Sequence, residues 1–76
     1  MRRYANLSGK SGVVAYGIGA DFIDVRFRNG ETYRYTHAKP GAGHVENMKA
    51  LALAGRGLST YISQHVREAY ASRSSD

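Results

Sequence analysis

The chain has 76 residues, no cysteine, and a formal charge of +5 from 11 Lys+Arg against 6 Asp+Glu. That length allows one domain with a small core, since a chain of about 60 residues buries only about 60% of its unfolded surface. Disulfides and thiolate metal clusters are excluded, and no segment approaches the roughly 18 consecutive apolar residues that span a bilayer.

Met1-Arg2-Arg3 is basic, but Tyr4-Ala5-Asn6-Leu7-Ser8-Gly9-Lys10 is too polar for the middle of a signal peptide, so a cytoplasmic setting is expected. Residues 1–10 read as a flexible basic arm. A single domain is expected over residues 11–71, with a disordered tail at 72–76. Val13-Val14-Ala15-Tyr16-Gly17-Ile18 is β-branched and aromatic and is bounded by glycines, which predicts a first strand. Phe22 to Arg28 predicts a second, in which Ile23, Val25 and Phe27 alternate with Asp24, Arg26 and Arg28. Glu31 to Thr36 predicts a third.

Asn29-Gly30 joins the last two strands and permits two loops. A two-residue loop puts Tyr33 and Tyr35 on the charged face; a three-residue loop with a left-handed Gly30 pairs Ile23 with Tyr35, Val25 with Tyr33 and Asp24 with Arg34. The second register is preferred. It gathers Ile23, Val25, Phe27, Tyr33 and Tyr35 on one face, and a slip of one residue would expose the tyrosines. The opposite face then carries Asp24, Arg26, Thr32 and Arg34, with Arg28 at the turn.

Lys39-Pro40-Gly41 breaks the sheet. His44 to Ala54 predicts a helix with Val45, Met48 and Ala52 on one stripe, capped by Gly55 or Gly57. Leu58 to about Ala71 predicts a second, with Leu58, Tyr61, Ile62, Val66, Ala69 and Tyr70 inward. The expected fold is α+β, a three-stranded antiparallel meander covered on one face by two helices, in the order β-β-β-α-α.

Two nucleotide-loop signals fail on context. Gly9-Lys10-Ser11 ends like a phosphate-binding loop, but Tyr4 stands where the pattern needs glycine and a strand follows instead of a helix. Gly17-Ile18-Gly19 has Phe22 in place of the third glycine of a dinucleotide loop, and no βαβ unit surrounds it. His37, His44 and His65 lack metal-ligand spacing and read as surface or edge histidines. No Ser-His-acid set or carboxylate pair can be picked by spacing. The expectation is a protein without catalytic activity, metal or cofactor.

The order of motifs resembles the KTSC domain, found at the C-terminus of some lysyl-tRNA synthetases and as small stand-alone bacterial proteins. Its mark is a Tyr-x-Tyr, matched by Tyr33-Arg34-Tyr35. An alternating strand ending in Phe and a glycine turn precede it, matched by Ile23-Asp24-Val25-Arg26-Phe27 and Gly30. Pro40 follows. Tyr61-Ile62-Ser63-Gln64-His65-Val66-Arg67-Glu68-Ala69-Tyr70 is similar to the family's C-terminal pattern, with Ser63 for its Asn and Val66 for its Ile. Tyr16 matches a tyrosine near the end of the family's first strand. The likeness covers roughly Ser11 to Tyr70 and is weakest between Pro40 and Tyr61, where Gly41-Ala42-Gly43 and Gly55-Arg56-Gly57 intervene. It implies the same small α+β fold and, from the synthetase context, RNA binding.

The basic balance has two readings, solubility or attraction to a polyanion. The leading expectation is nucleic-acid binding, RNA before DNA. Arg26, Arg28 and Arg34 would contact phosphates, with Lys10, beside Arg2 and Arg3 in the arm, and Arg67 as further candidates. Tyr33 and Tyr35 would serve either as stacking platforms or as core; the preferred register favours core. The alternative is a protein-interaction module of phage or bacterial origin that docks on a larger host complex through a sheet edge or the helix face around Leu53.

Overall fold

The computed structural model describes residues 1–75; Asp76, the end of the expected tail, lies outside them. The elements run β1 (Arg2–Arg3), β2 (Val13–Ile18), β3 (Phe22–Phe27), β4 (Glu31–Thr36), α1 (Ala42–Ala54), α2 (Leu58–Tyr61) continued by a π-helical turn (Ile62–Val66), and β5 (Ser72–Ser75). The fold is α+β, as expected, but the sheet has five antiparallel strands in sequential order instead of three.

The central meander follows the alternation in the sequence. Ile23 pairs with Tyr35, Asp24 with Arg34 and Val25 with Tyr33, the register of the three-residue loop. Gly30 is left-handed at φ 91°, and its N–H donates to the Phe27 carbonyl at 2.9 Å. The Asn29 side chain accepts from the Glu31 N–H at 3.0 Å and fixes the turn. In β2 the register shifts between Val13 and Ala15. That bulge turns both Val13 and Tyr16, three positions apart, into the core.

One layer of helix covers one face of the sheet. Val45, Met48 and Ala52 of α1 and Leu58, Ile62 and Val66 beyond it join Val13, Tyr16, Ile23, Val25 and Tyr35 in a single core. Burial of the Tyr35 hydroxyl raises its pKa well above the ordinary tyrosine value, so it stays neutral on the alkaline side of pH 10. Gly55 caps α1 in the left-handed conformation, φ 77°, and donates to the Leu51 and Ala52 carbonyls.

Three expectations are corrected. The N-terminal residues are no loose arm: Arg2 pairs with Tyr16 and Arg3 with Ala15. Tyr4 is only 3% exposed. Its N–H donates to the Val14 carbonyl at 3.0 Å, its hydroxyl accepts from the Leu58 N–H at 3.3 Å, and the Leu7 N–H donates to the Gly55 carbonyl at 2.8 Å. The segment thus closes the seam between sheet and helices.

The second helix does not continue to Ala71. Its buried residues Leu58, Ile62 and Val66 are spaced by four, and in an α-helix that stripe drifts by about 40° per step. The wider π turn, closed by the Arg67 N–H on the Ile62 carbonyl at 2.6 Å, keeps them on one side. Arg67 then takes φ 34° and the chain reverses.

The reversal lays Tyr70 against Tyr33 and Tyr35, with ring centroids 4.8 and 6.4 Å apart. It also pairs Ser72–Ser75 with β4, where the polar composition predicts a frayed tail. Burying an aromatic ring and filling a strand edge outweigh one more exposed helical turn. No helix among the described residues is long and apolar enough to cross a membrane.

Candidate nucleic-acid interface

Because the helices occupy the Tyr16–Val25–Tyr33 face, the other face of the sheet is left to the polar parity of each strand. Cross-strand partners share a face. One row runs Arg3, Ala15, Arg26, Thr32, Ser74, and the next runs Gly17, Asp24, Arg34, Ser72. Phe22 and Thr36 begin a third. Arg3 and Arg26 are two strands apart, roughly 10 Å. Arg26 and Arg34 are diagonal neighbours across one strand gap, roughly 7–8 Å.

The arginines are not equivalent. Arg34 makes a bidentate pair with Asp24, Nε to Oδ1 at 2.8 Å and a terminal nitrogen to Oδ2 at 2.9 Å. The hydrogen bond to Asp24 raises the Arg34 pKa above its ordinary value, and Asp21 adds to the field. With the Arg34 side chain 46% exposed, the pair contributes at most about 1 kcal/mol to stability. The guanidinium also lies over the Phe22 ring, 4.0 Å from its centroid, which presents a flat cation–aromatic stack.

Arg28 sits at the hairpin end of the face, exposed, and one of its terminal nitrogens donates to the Ser11 carbonyl at 3.2 Å. Arg26 is half-buried in the row between Ala15 and Thr32. The carboxylates Asp21 and Asp24 therefore lie at the Phe22 end of the face, and Arg3, Arg26 and Arg28 lie toward its other end.

Arg26 and Arg34 thus share the open face as the alternation implies, Arg28 lies at the turn just past β3, and the other two candidates lie elsewhere. Lys10 is exposed on the loop that enters β2. Arg67 follows the π turn on the helical side, where its carbonyl accepts from the Tyr35 hydroxyl at 3.4 Å. Sequence reasoning misses two residues of the face. Arg3 falls in the expected arm, and a two-residue polar strand carries no pattern that would place it in the sheet. Phe22 has the same parity as Asp24 and Arg26, so the alternation does carry a signal for it. Tyr33 and Tyr35 are on the core side, Tyr35 fully buried.

The histidines form a second polar group on the helical layer. His44 Nδ1 lies 2.7 Å from the Tyr61 hydroxyl, which also accepts from the Asn47 amide at 3.2 Å. The His65 ring lies on Tyr61, centroids 4.5 Å apart. His37 Nε2 and Lys49 Nζ each lie 2.8 Å from Glu46 Oε2. Lys49 first, then His37, hold the Glu46 carboxyl below its usual range. These bonds join α1 to the chain on either side of it.

Comparison of the chain with protein-family models, with curated proteins and with solved structures finds no match.

Proposed function

We propose that this chain is a nucleic-acid-binding domain without catalytic activity, of the KTSC type, that lays a single strand, RNA in preference to DNA, across the open face of its sheet. The observation that carries the proposal is the face itself. It is a helix-free surface that sets Arg3 and Arg26 in one row, with Arg28 at the adjoining turn, beside the Arg34–Phe22 stack. Arginine supplies bidentate phosphate contacts, and a guanidinium held flat on an aromatic ring offers a surface for an unpaired base. Affinity drawn from phosphate neutralisation falls with salt, with a logarithmic slope of about −0.7 per contact on single strands.

A labelled single-stranded RNA followed by fluorescence anisotropy over a salt series tests this. A slope corresponding to about two or three contacts is expected. Asp24→Asn removes the carboxylate that neutralises Arg34, and is expected to tighten binding by up to about fivefold, the worth of one partly solvated charge. Salt-independent binding, or no binding at low salt, would refute the proposal.

A second reading, a protein-interaction module, rests on Leu7 and Leu53. They are 64% and 62% exposed; Leu7 lies against the Gly55 cap, and Leu53 is in the last turn of α1. Capture of one protein that persists in high salt, with no nucleic acid copurifying, is the outcome it expects.

A further inference from the structure

Gly9-Lys10-Ser11 lacks the context of a nucleotide loop, yet the fold gives it a counterpart. Ser8, Lys10 and Ser11 line one side of a pocket of about 120 Å³, and Gly57, Ser59 and Thr60 line the other. The two sides come from distant parts of the chain. They are brought together by the Leu7–Gly55 and Tyr4–Leu58 hydrogen bonds.

The lining is chemically uniform. The residues that line it carry four hydroxyls and one ammonium, and none carries a carboxylate or an aromatic ring. The Ser8 hydroxyl oxygen accepts from the Lys10 N–H at 3.3 Å, and the Ser11 hydroxyl oxygen accepts from the Val13 N–H at 3.1 Å. Those bonds use lone pairs, so each hydroxyl keeps its proton to donate. Ser11 is 8% exposed and is fixed further by its own N–H on the Asn6 side-chain oxygen at 3.1 Å. The complement of such a pocket is a compact group that only accepts hydrogen bonds and carries negative charge. One water needs only about 10–15 Å³ of such space, so a tetrahedral oxyanion fits. With no ring in the lining, a nucleobase finds nothing to stack on.

We propose that this pocket binds one phosphate group, with Lys10 as the counter-charge and Ser8, Ser11, Ser59 and Thr60 as donors. The inference stands on the pocket alone and does not need the sheet face to bind nucleic acid. The group is either free phosphate or the monoester at a nucleic-acid end.

The test is a titration of isotopically labelled protein with inorganic phosphate at constant ionic strength, following backbone amides. Saturable shifts at Gly9, Lys10, Ser11, Ser59 and Thr60 in the millimolar range are expected, and Lys10→Ala should weaken them about tenfold, the loss of one charge-assisted contact. Lys10 is exposed, so the variant keeps the fold, and unchanged signals from β3 and β4 verify that.

A 5′-phosphorylated dinucleotide that binds more tightly than both phosphate and the 5′-hydroxyl dinucleotide identifies a nucleic-acid end. Equal affinity of phosphate and the phosphorylated dinucleotide identifies free phosphate. No saturable shift at these amides, or the same affinity in Lys10→Ala, overturns the proposal. Either failure leaves the sheet-face reading intact, because that reading is reported by β2, β3 and β4.

Discussion

Tyr4→Ala is expected to destabilise the protein by about 3–5 kcal/mol, the usual cost of deleting a buried aromatic ring. A chain of this length has about 4–11 kcal/mol of stability in total, so the substitution removes a large share of it and, at the lower end of that range, nearly all. The cause is position. Tyr4 is 3% exposed, its backbone is tied to Val14 and its hydroxyl to the first amide of α2.

Tyr4→Phe keeps the ring and leaves the buried Leu58 N–H without its acceptor, a loss of about 1–2 kcal/mol. Urea unfolding of the three proteins checks the order, wild type above Tyr4→Phe above Tyr4→Ala. Equal midpoints would mean that the Tyr4 side chain contributes nothing to stability.

The second large effect concerns binding. The pair Arg3→Glu and Arg26→Glu leaves the Asp24–Arg34 ion pair in place and reverses both arginines of the row beside it. Two charge-assisted phosphate contacts at about 1.5 kcal/mol each correspond to about 100-fold in affinity for single-stranded RNA. The control is Arg56→Glu with Arg67→Glu. It changes net charge by the same amount through two exposed residues on the helical side and is expected to cost less than about tenfold. Anisotropy measures both pairs, and circular dichroism melts show whether each stays folded. Equal losses in the two pairs would mean that binding follows net charge and not the face.

What the sequence makes legible is set by where hydrophobicity specifies pairing. The β3–β4 register is readable because a slip would expose Tyr33 and Tyr35, and Asn29-Gly30 permits the loop that avoids it. The same parity places Arg26, Arg34 and Asp24 on one face, so the centre of the candidate site is legible in the alternation alone.

The edge strands are a different matter. Arg2–Arg3 and Ser72–Ser75 join the sheet through backbone hydrogen bonds, with exposed side chains that carry no apolar period. The lone signals are Tyr4, an aromatic residue in a polar stretch, and Tyr70, whose stacking on Tyr33 requires the chain to turn back. The early end of the second helix follows from that tertiary demand, since the residues beyond Val66 have no intrinsic reason to stop. The pocket at Lys10 is hidden for a simpler reason. Its two sides are far apart in the chain, and only the docking of Leu7 on Gly55 and Tyr4 on Leu58 closes it.

Whether nucleic acid lies on the open face of the sheet is read out by titrating labelled protein with single-stranded RNA at two salt concentrations. The signals to follow are the arginine side-chain Nε–H groups together with the backbone amides. Shifts are expected at Arg3, Arg26, Arg28 and Arg34 that shrink sharply at the higher salt, while Arg56 and Arg67 stay in place. Shifts confined to Arg56, Arg67 and the helical amides, or no shifts at low salt, would contradict it.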